Sequence, residues 1–139
     1  MAKVNTDGSS WGNPGISGCS GILRNSRGWD IGSFSAPLGT QTSFYAELIG
    51  AILTIAITWS NGWTNLWLQC DSSMVMQAFA NSKIIPWHLR NLWLNCKTRL
   101  LEMNFRVSHI FREGNCAADK VANMGLAAAS FKWWQNAPH

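Results

Sequence analysis

Only seven side chains carry a carboxylate, Asp7, Asp30, Glu47, Asp71, Glu102, Glu113 and Asp119, and four of them stand where solvated acids are out of place. Asp7 closes an extended stretch in Thr6-Asp7-Gly8-Ser9, and Asp71 closes another in Gln69-Cys70-Asp71-Ser72. Glu47 lies in a segment of almost wholly apolar neighbours, where an unpaired ionised carboxylate is costly. Asp119 sits among Ala117, Ala118, Val121 and Ala122. Brought together, such acids repel one another and need a counter-charge. A divalent cation supplies it, and all-oxygen donors favour magnesium or manganese. Singly, each has a plainer reading: Asp7 as a turn residue, Asp71 as a helix cap, Asp119 as a dipole partner, Glu47 as half of an arginine pair.

To act as one site, the acids must be positioned by folded elements. Residues 4–9, 18–24 and 29–36 read as three strands of an antiparallel meander, with turns at Gly12 to Gly15 and Asn25 to Gly28, closed by Pro37 and Gly39. Thr42 or Ser43 caps a helix that carries Glu47 in its first turns and runs to about Trp59. Phe44, Leu48, Ala51, Ile52, Ile55 and Trp59 line one face, while Ile49, Leu53 and Ile57 fill much of the other, so the helix is a buried one. Residues 66–70 follow as a strand. Ser72 or Ser73 caps a short helix to about Asn81, and Pro86 starts a third, striped by Leu89, Leu92, Trp93, Cys96 and Leu100. Residues 105–111 alternate as a strand, with Phe105, Val107, His109 and Phe111 on one apolar face, which makes His109 structural. A last helix spans about Asn115 to Ala128, before a tail containing Trp133 and Trp134. The order βββαβααβα predicts an α/β fold with a five-stranded mixed sheet and helices on both faces. The crossover rule pairs the fourth strand in parallel. With the first and fourth strands side by side, Asp7 and Asp71 emerge at one carboxyl edge of the sheet.

The chain has 139 residues, 47% of them apolar, which is room for one domain over 1–139, with a core over about 3–128 and a tail over 129–139. Eleven Lys and Arg against seven acids leave a net charge of +4, a mild pull toward polyanions. No uncharged apolar run of about 18 residues is evident, so no membrane span is expected. The first residues lack the apolar core of a secretory signal. Cys19, Cys70, Cys96 and Cys116 form no C-x-x-C pair, which argues against zinc and for buried thiols of an intracellular protein, nuclear or cytoplasmic rather than secreted. Of the nine Trp, Trp59, Trp67 and Trp93 fit core patterns. Trp11, Trp87, Trp133 and Trp134 fall in loops or the tail, where base stacking is one use for them. Arg90 and Lys97 share one face of the third helix.

Four blocks carry a resemblance: Val4-Asn-Thr-Asp-Gly-Ser9, Tyr45-Ala-Glu-Leu48, Gln69-Cys-Asp-Ser72 and His109-Ile-Phe-Arg-Glu-Gly-Asn-Cys-Ala-Ala-Asp119-Lys-Val-Ala122. In order and spacing they resemble ribonuclease H, most of all the reverse-transcriptase-associated type of plant genomes and retroelements, over residues 4 to about 126. The resemblance implies an endonuclease that hydrolyses the RNA strand of RNA–DNA hybrids. It matches Asp7, Glu47, Asp71 and Asp119 to the family's catalytic, metal-binding acids, which hold two magnesium ions, with manganese as a substitute. It also implies substrate contacts from Gly8, Ser9 and Ser10, whose backbone reads the 2′-OH, and from Ser43, Ser72, Arg112 and Asn115. The chain would be a monomer on its own and a piece of a larger reverse-transcriptase polyprotein. Three places depart from the family. Ser43 and Phe44 stand where many members carry Asn or Gln. His109 has the spacing of a mobile catalytic histidine but falls in a strand, leaving Arg112 as the polar helper. Only Asn81 to Ile85 separate the second and third helices, so no long basic protrusion grips the hybrid and binding should be weak.

Two rival readings stay open. A catalytically inactive hybrid- or protein-binding domain derived from a retroelement would keep the fold without turnover. A 3′–5′ exonuclease or integrase-like enzyme would use a similar sheet on other substrates. An aspartic protease, suggested by Asp7-Gly8, would need an all-β chain and is excluded by the helices.

Overall fold

The computed structural model describes residues 2–110 and 132–135. Three strands come first: β1 (Ala2–Ser10), β2 (Gly15–Arg24) and β3 (Asp30–Gln41), followed by α1 (Ser43–Ser60) and β4 (Asn65–Cys70). The chain continues through α2 (Ser73–Ala80), two single 3₁₀ turns at Ser82–Ile84 and Trp87–Leu89, α3 (Arg90–Leu100), β5 (Asn104–His109) and β6 (Lys132–Gln135). The sheet runs β5-β4-β1-β2-β3-β6. The meander β1-β2-β3 is antiparallel, and β4 lies parallel to both β1 and β5, as the crossover rule requires. The expected mixed sheet of five strands is therefore present.

A sixth strand joins it. β6 pairs antiparallel with β3, from Gly32↔Gln135 to Ser35↔Lys132, and half-buried Trp133 packs against the core. Residues expected to trail as a tail thus complete the sheet's edge. The expected helix at Asn115 to Ala128 lies outside the described residues, as do Phe111 and Cys116.

Pro37 and Gly39 do not end the third strand, which runs on to Gln41. Ser17 pairs with Gly39 and Gly18 with Pro37, so Leu38 is an extra residue in a bulge. A bulge is where a sheet tolerates proline, and Gly39 supplies the positive φ of 71° found there. The third helix likewise begins later than Pro86, after the second 3₁₀ turn.

Helix α1 carries the core. Leu48, Ala51 and Ile55 are fully buried against Val4, Leu23, Leu66 and Leu68 of the sheet. Its two buried threonines bond back along the helix, Thr54 Oγ1 to the Gly50 carbonyl (2.9 Å) and Thr58 Oγ1 to that of Thr54 (2.7 Å). With 18 residues and a mean hydropathy of 1.4, α1 is long and apolar enough to cross a membrane, contrary to the expectation that no stretch would be. The apolar surface that passes this test is the surface α1 presents to the sheet. Leu89 of the second 3₁₀ turn and Trp93 and Cys96 of α3 are buried, while Leu92 turns outward at 47% exposure. Trp59 also departs from its core pattern: it is exposed at the end of α1, donates Nε1–H to Glu102 (2.9 Å) and lies under the Arg99 guanidinium. Trp67 is half-buried between the cations of Lys3 and Arg106.

Candidate active site

Strand register places the first two acids. Thr6 pairs with Cys70 as the last rung between β1 and β4, so Asp7 and Asp71 are the next residue along each of two parallel strands. The shared carboxyl edge expected for them is what the pairing produces. Asp7 is buried at 7% exposure, while β1 itself continues to Ser10 against β2.

Glycine places the third. A Cβ at Gly8 would fall 2.3 Å from the Glu47 nitrogen and 2.5 Å from the Ala46 carbonyl carbon. Main chain rests directly on main chain there, which only glycine allows. That approach sets the start of α1 over the end of β1 and delivers Glu47 to Asp7. One carboxylate oxygen each from Asp7, Glu47 and Asp71 lies within 4.8 Å of the others, with Asp7 buried and the other two half-buried.

The buried Cys70 thiol registers this convergence. Burial pushes it up to about 11, and the charges of Glu47, Asp71 and Asp7 push the same way, against a backbone hydrogen bond at Ser72 that lowers it. The donor set is hard oxygen with half-open access, which fits magnesium or manganese. Asp119, Arg112 and Asn115 lie outside the described residues.

The proposed substrate side chains divide. Ser72 is buried and caps α2, its Oγ accepting from Val75 N (3.2 Å), so it shapes the bend after Asp71 rather than facing outward. Thr42, not Ser43, caps α1, its Oγ1 accepting from Tyr45 N (3.1 Å). Ser43 N instead donates to Asn13 Oδ1 (3.1 Å), which ties the β1–β2 turn to the start of α1. Ser10 Oγ donates to the carbonyls of Gly12 and Gln41, so its hydroxyl works within that turn. Gly8 and Ser9 are half-buried along β1. The Asn13 tie was invisible in the sequence, where Asn-Pro signalled only a turn.

His109 is not the buried residue that alternation suggested. Phe105 and Val107 pack on the core, but His109 ends β5, is exposed, and places Nε2 3.1 Å from the Asp71 carbonyl oxygen. Register explains it: His109 pairs with Cys70, one residue before Asp71.

Among the described residues, a five-stranded mixed sheet extended by β6, a helix crossing β1 at a glycine and three converging carboxylates define a ribonuclease H-type domain. The family model described as reverse transcriptase-like matches residues 5–125. The chain belongs to that reverse transcriptase-like family, the reverse-transcriptase-associated kind of ribonuclease H. It is 32% identical over 127 residues to an Arabidopsis thaliana protein named "Putative ribonuclease H protein At1g65750", covering 90% of this chain. The chain spans 20% of that relative's length. Among solved structures, RNase H1 of the halophilic archaeon Halobacterium salinarum NRC-1 superposes with a TM-score of 0.81 at 23% identity, covering 91% of this chain and 97% of its own. LC11-RNase H1, solved in complex with an RNA/DNA hybrid, gives 0.81 at 22% identity, covering 91% and 97%. These likenesses show the fold.

Proposed function

We propose that the chain is a metal-dependent endonuclease that hydrolyses the RNA strand of RNA–DNA hybrids. The observation that carries this reading is the group of three carboxylates, drawn from β1, α1 and the end of β4 to within 4.8 Å. Structural acids have no reason to converge from three elements at a sheet's carboxyl edge. Asp7, Glu47 and Asp71 would hold divalent ions, magnesium with manganese as a substitute, with Asp119 as the fourth ligand. Bound there, paired ions supply charge neutralisation for the phosphate and an activated water.

The chain's own residues do the rest. Gly8 keeps Glu47 seated beside Asp7, and the capped bend at Ser72 orients Asp71. The turn pinned by Asn13 and Ser10 follows residues 8–10, whose backbone is proposed to read the 2′-OH of the hybrid. Arg112 and Asn115 are proposed to contact the hybrid from the segment before Asp119. The match to a fifth of a longer relative supports a place within a longer protein, which is proposed to be a reverse-transcriptase polyprotein, with this domain a monomer on its own. Cys19, Cys70 and Cys96 are free and buried, which suits a reducing nuclear or cytoplasmic setting.

The test is cleavage of an end-labelled hybrid by the purified chain in magnesium. Cutting of the RNA strand alone, abolished by chelator and by Glu47→Gln, is the expected result. Hybrid binding without turnover under any divalent ion would establish the inactive binding domain instead, and trimming of DNA ends would indicate an exonuclease.

A further inference from the structure

Beyond the carboxylates the surface changes character. From Ser73 to Leu101 there is no Asp or Glu, while Lys83, Arg90, Lys97 and Arg99 are all cationic. Within that stretch Trp87 stands 83% exposed, an unusual display for an indole. It is not isolated. Its ring meets the edge of His88 at 6.0 Å and 79°, and His88 stacks on Tyr45 at 6.1 Å and 13°. The three rings form a continuous shelf from the first turn of α1 to the start of α3. Tyr45 precedes Glu47 by two residues, about 3 Å along the helix axis. Side chains two apart diverge around a helix, so the shelf flanks the carboxylate group rather than lining it. Arg90 is exposed three residues past Trp87.

We infer that Tyr45, His88, Trp87 and Arg90 form a docking shelf for a nucleic-acid strand running past the carboxylates, a reading that rests on the proposed hybrid cleavage. An aromatic face packs on the sugars of a paired strand and stacks on any unpaired base, and an adjacent guanidinium neutralises a phosphate. The absence of acids over Ser73 to Leu101 complements a polyanion. It does not complement a protein surface, which would meet the exposed leucines of α3 without using the cations. The shelf also stands where the short connection between α2 and α3 leaves no basic protrusion, so stacking takes over part of the grip.

The experiment compares Trp87→Ala, Trp87→Phe and Arg90→Ala. Hybrid affinity is read by anisotropy in an Asp71→Asn background that cannot cut, and kinetics are read in the intact chain. Loss of the Trp87 face should raise both Kd and KM about tenfold in Trp87→Ala, with kcat and melting temperature unchanged. Trp87→Phe should recover most of that loss, and Arg90→Ala should lower the slope of log affinity against log salt by about one. A chain that cuts hybrid but shows unchanged Kd and KM in Trp87→Ala overturns the shelf alone. Unchanged KM with loss of self-association in sedimentation overturns it in favour of a protein interface. A wild-type chain that neither binds nor cuts hybrid overturns the shelf and the nuclease together.

Discussion

Replacing Asp71 by Asn should make the metal-free protein more stable while removing its response to metal. The three carboxylate oxygens lie at most 4.8 Å apart, so Asp71 faces two like charges at that distance or less. Each pair at 4.8 Å is worth about 3.5 kcal/mol of repulsion at an effective dielectric constant of about 20. Asp71 and Glu47 are half-buried, so water and salt screen much of this, leaving a net gain of about 1–2 kcal/mol. For a chain of this size that raises the melting temperature by about 3–8 °C.

The assay is thermal unfolding followed by circular dichroism, in chelator at low salt and again in saturating magnesium. Wild type should gain about 2.7 kcal/mol at an ion concentration a hundredfold above its Kd, and Asp71→Asn much less, so the order of the two melting temperatures inverts. Raising the salt should shrink the gap in chelator. If Asp71→Asn melts at or below wild type in chelator at low salt, the carboxylates do not strain the folded state and the case for a cation site collapses with it.

Two further outcomes follow from the same geometry. Gly8→Ala drives a methyl into the backbone of Ala46 and Glu47, which cannot swing aside, so it should cost about 3 kcal/mol and lower the melting temperature by about 10 °C. It should also abolish stabilisation by magnesium because Glu47 is displaced; a melt within about 2 °C of wild type would refute the close approach. Burial pushes the Cys19 and Cys96 thiols up to about 12 and Cys70 to about 11, from 9.0, so the folded state holds these protons more tightly than the unfolded one. Their contribution to stability is complete below pH 9.0 and is lost as pH rises through 11 to 12. Urea midpoints measured from pH 8 to 11 should therefore fall above pH 9, and less steeply in Cys70→Ala; equal slopes would show that this thiol is not buried in solution.

What the sequence made legible is what local pattern encodes. The shared sheet edge of Asp7 and Asp71, Glu47 on an apolar helix and a serine cap on α2, left open between Ser72 and Ser73, all follow from residue type and spacing, although β1 runs past Asp7 to Ser10. Parallel pairing of β1 with β4 follows from the handedness of crossovers. Illegible features depend on distant partners. β6 is four residues long and pairs with a strand about a hundred residues earlier, so nothing in Lys132–Gln135 announces it. Trp59 keeps helical period with the core residues, but the helix end lies beside Arg99 and Glu102, which hold the ring at the surface. His109 keeps strand period with Phe105 and Val107, yet its position at the end of β5 leaves it exposed and bonded to Asp71. Periodicity gives the face of a residue and is silent on where the neighbouring layer stops.

The candidate site is a product of main-chain geometry more than of side-chain packing. Asp7 and Asp71 are aligned by the last rung of a parallel pair, and Glu47 by a helix that touches β1 through Gly8. Backbone contacts of this kind fix where the three acids leave the main chain, and their side chains converge before any ion arrives. That rigidity is what a cation site needs, because ligands already converged do not have to be ordered on binding. It also fixes the cost: the same preorganisation keeps like charges together when no ion is bound, which is why the folded state should become more stable when one acid is lost and why the retention of three argues for use.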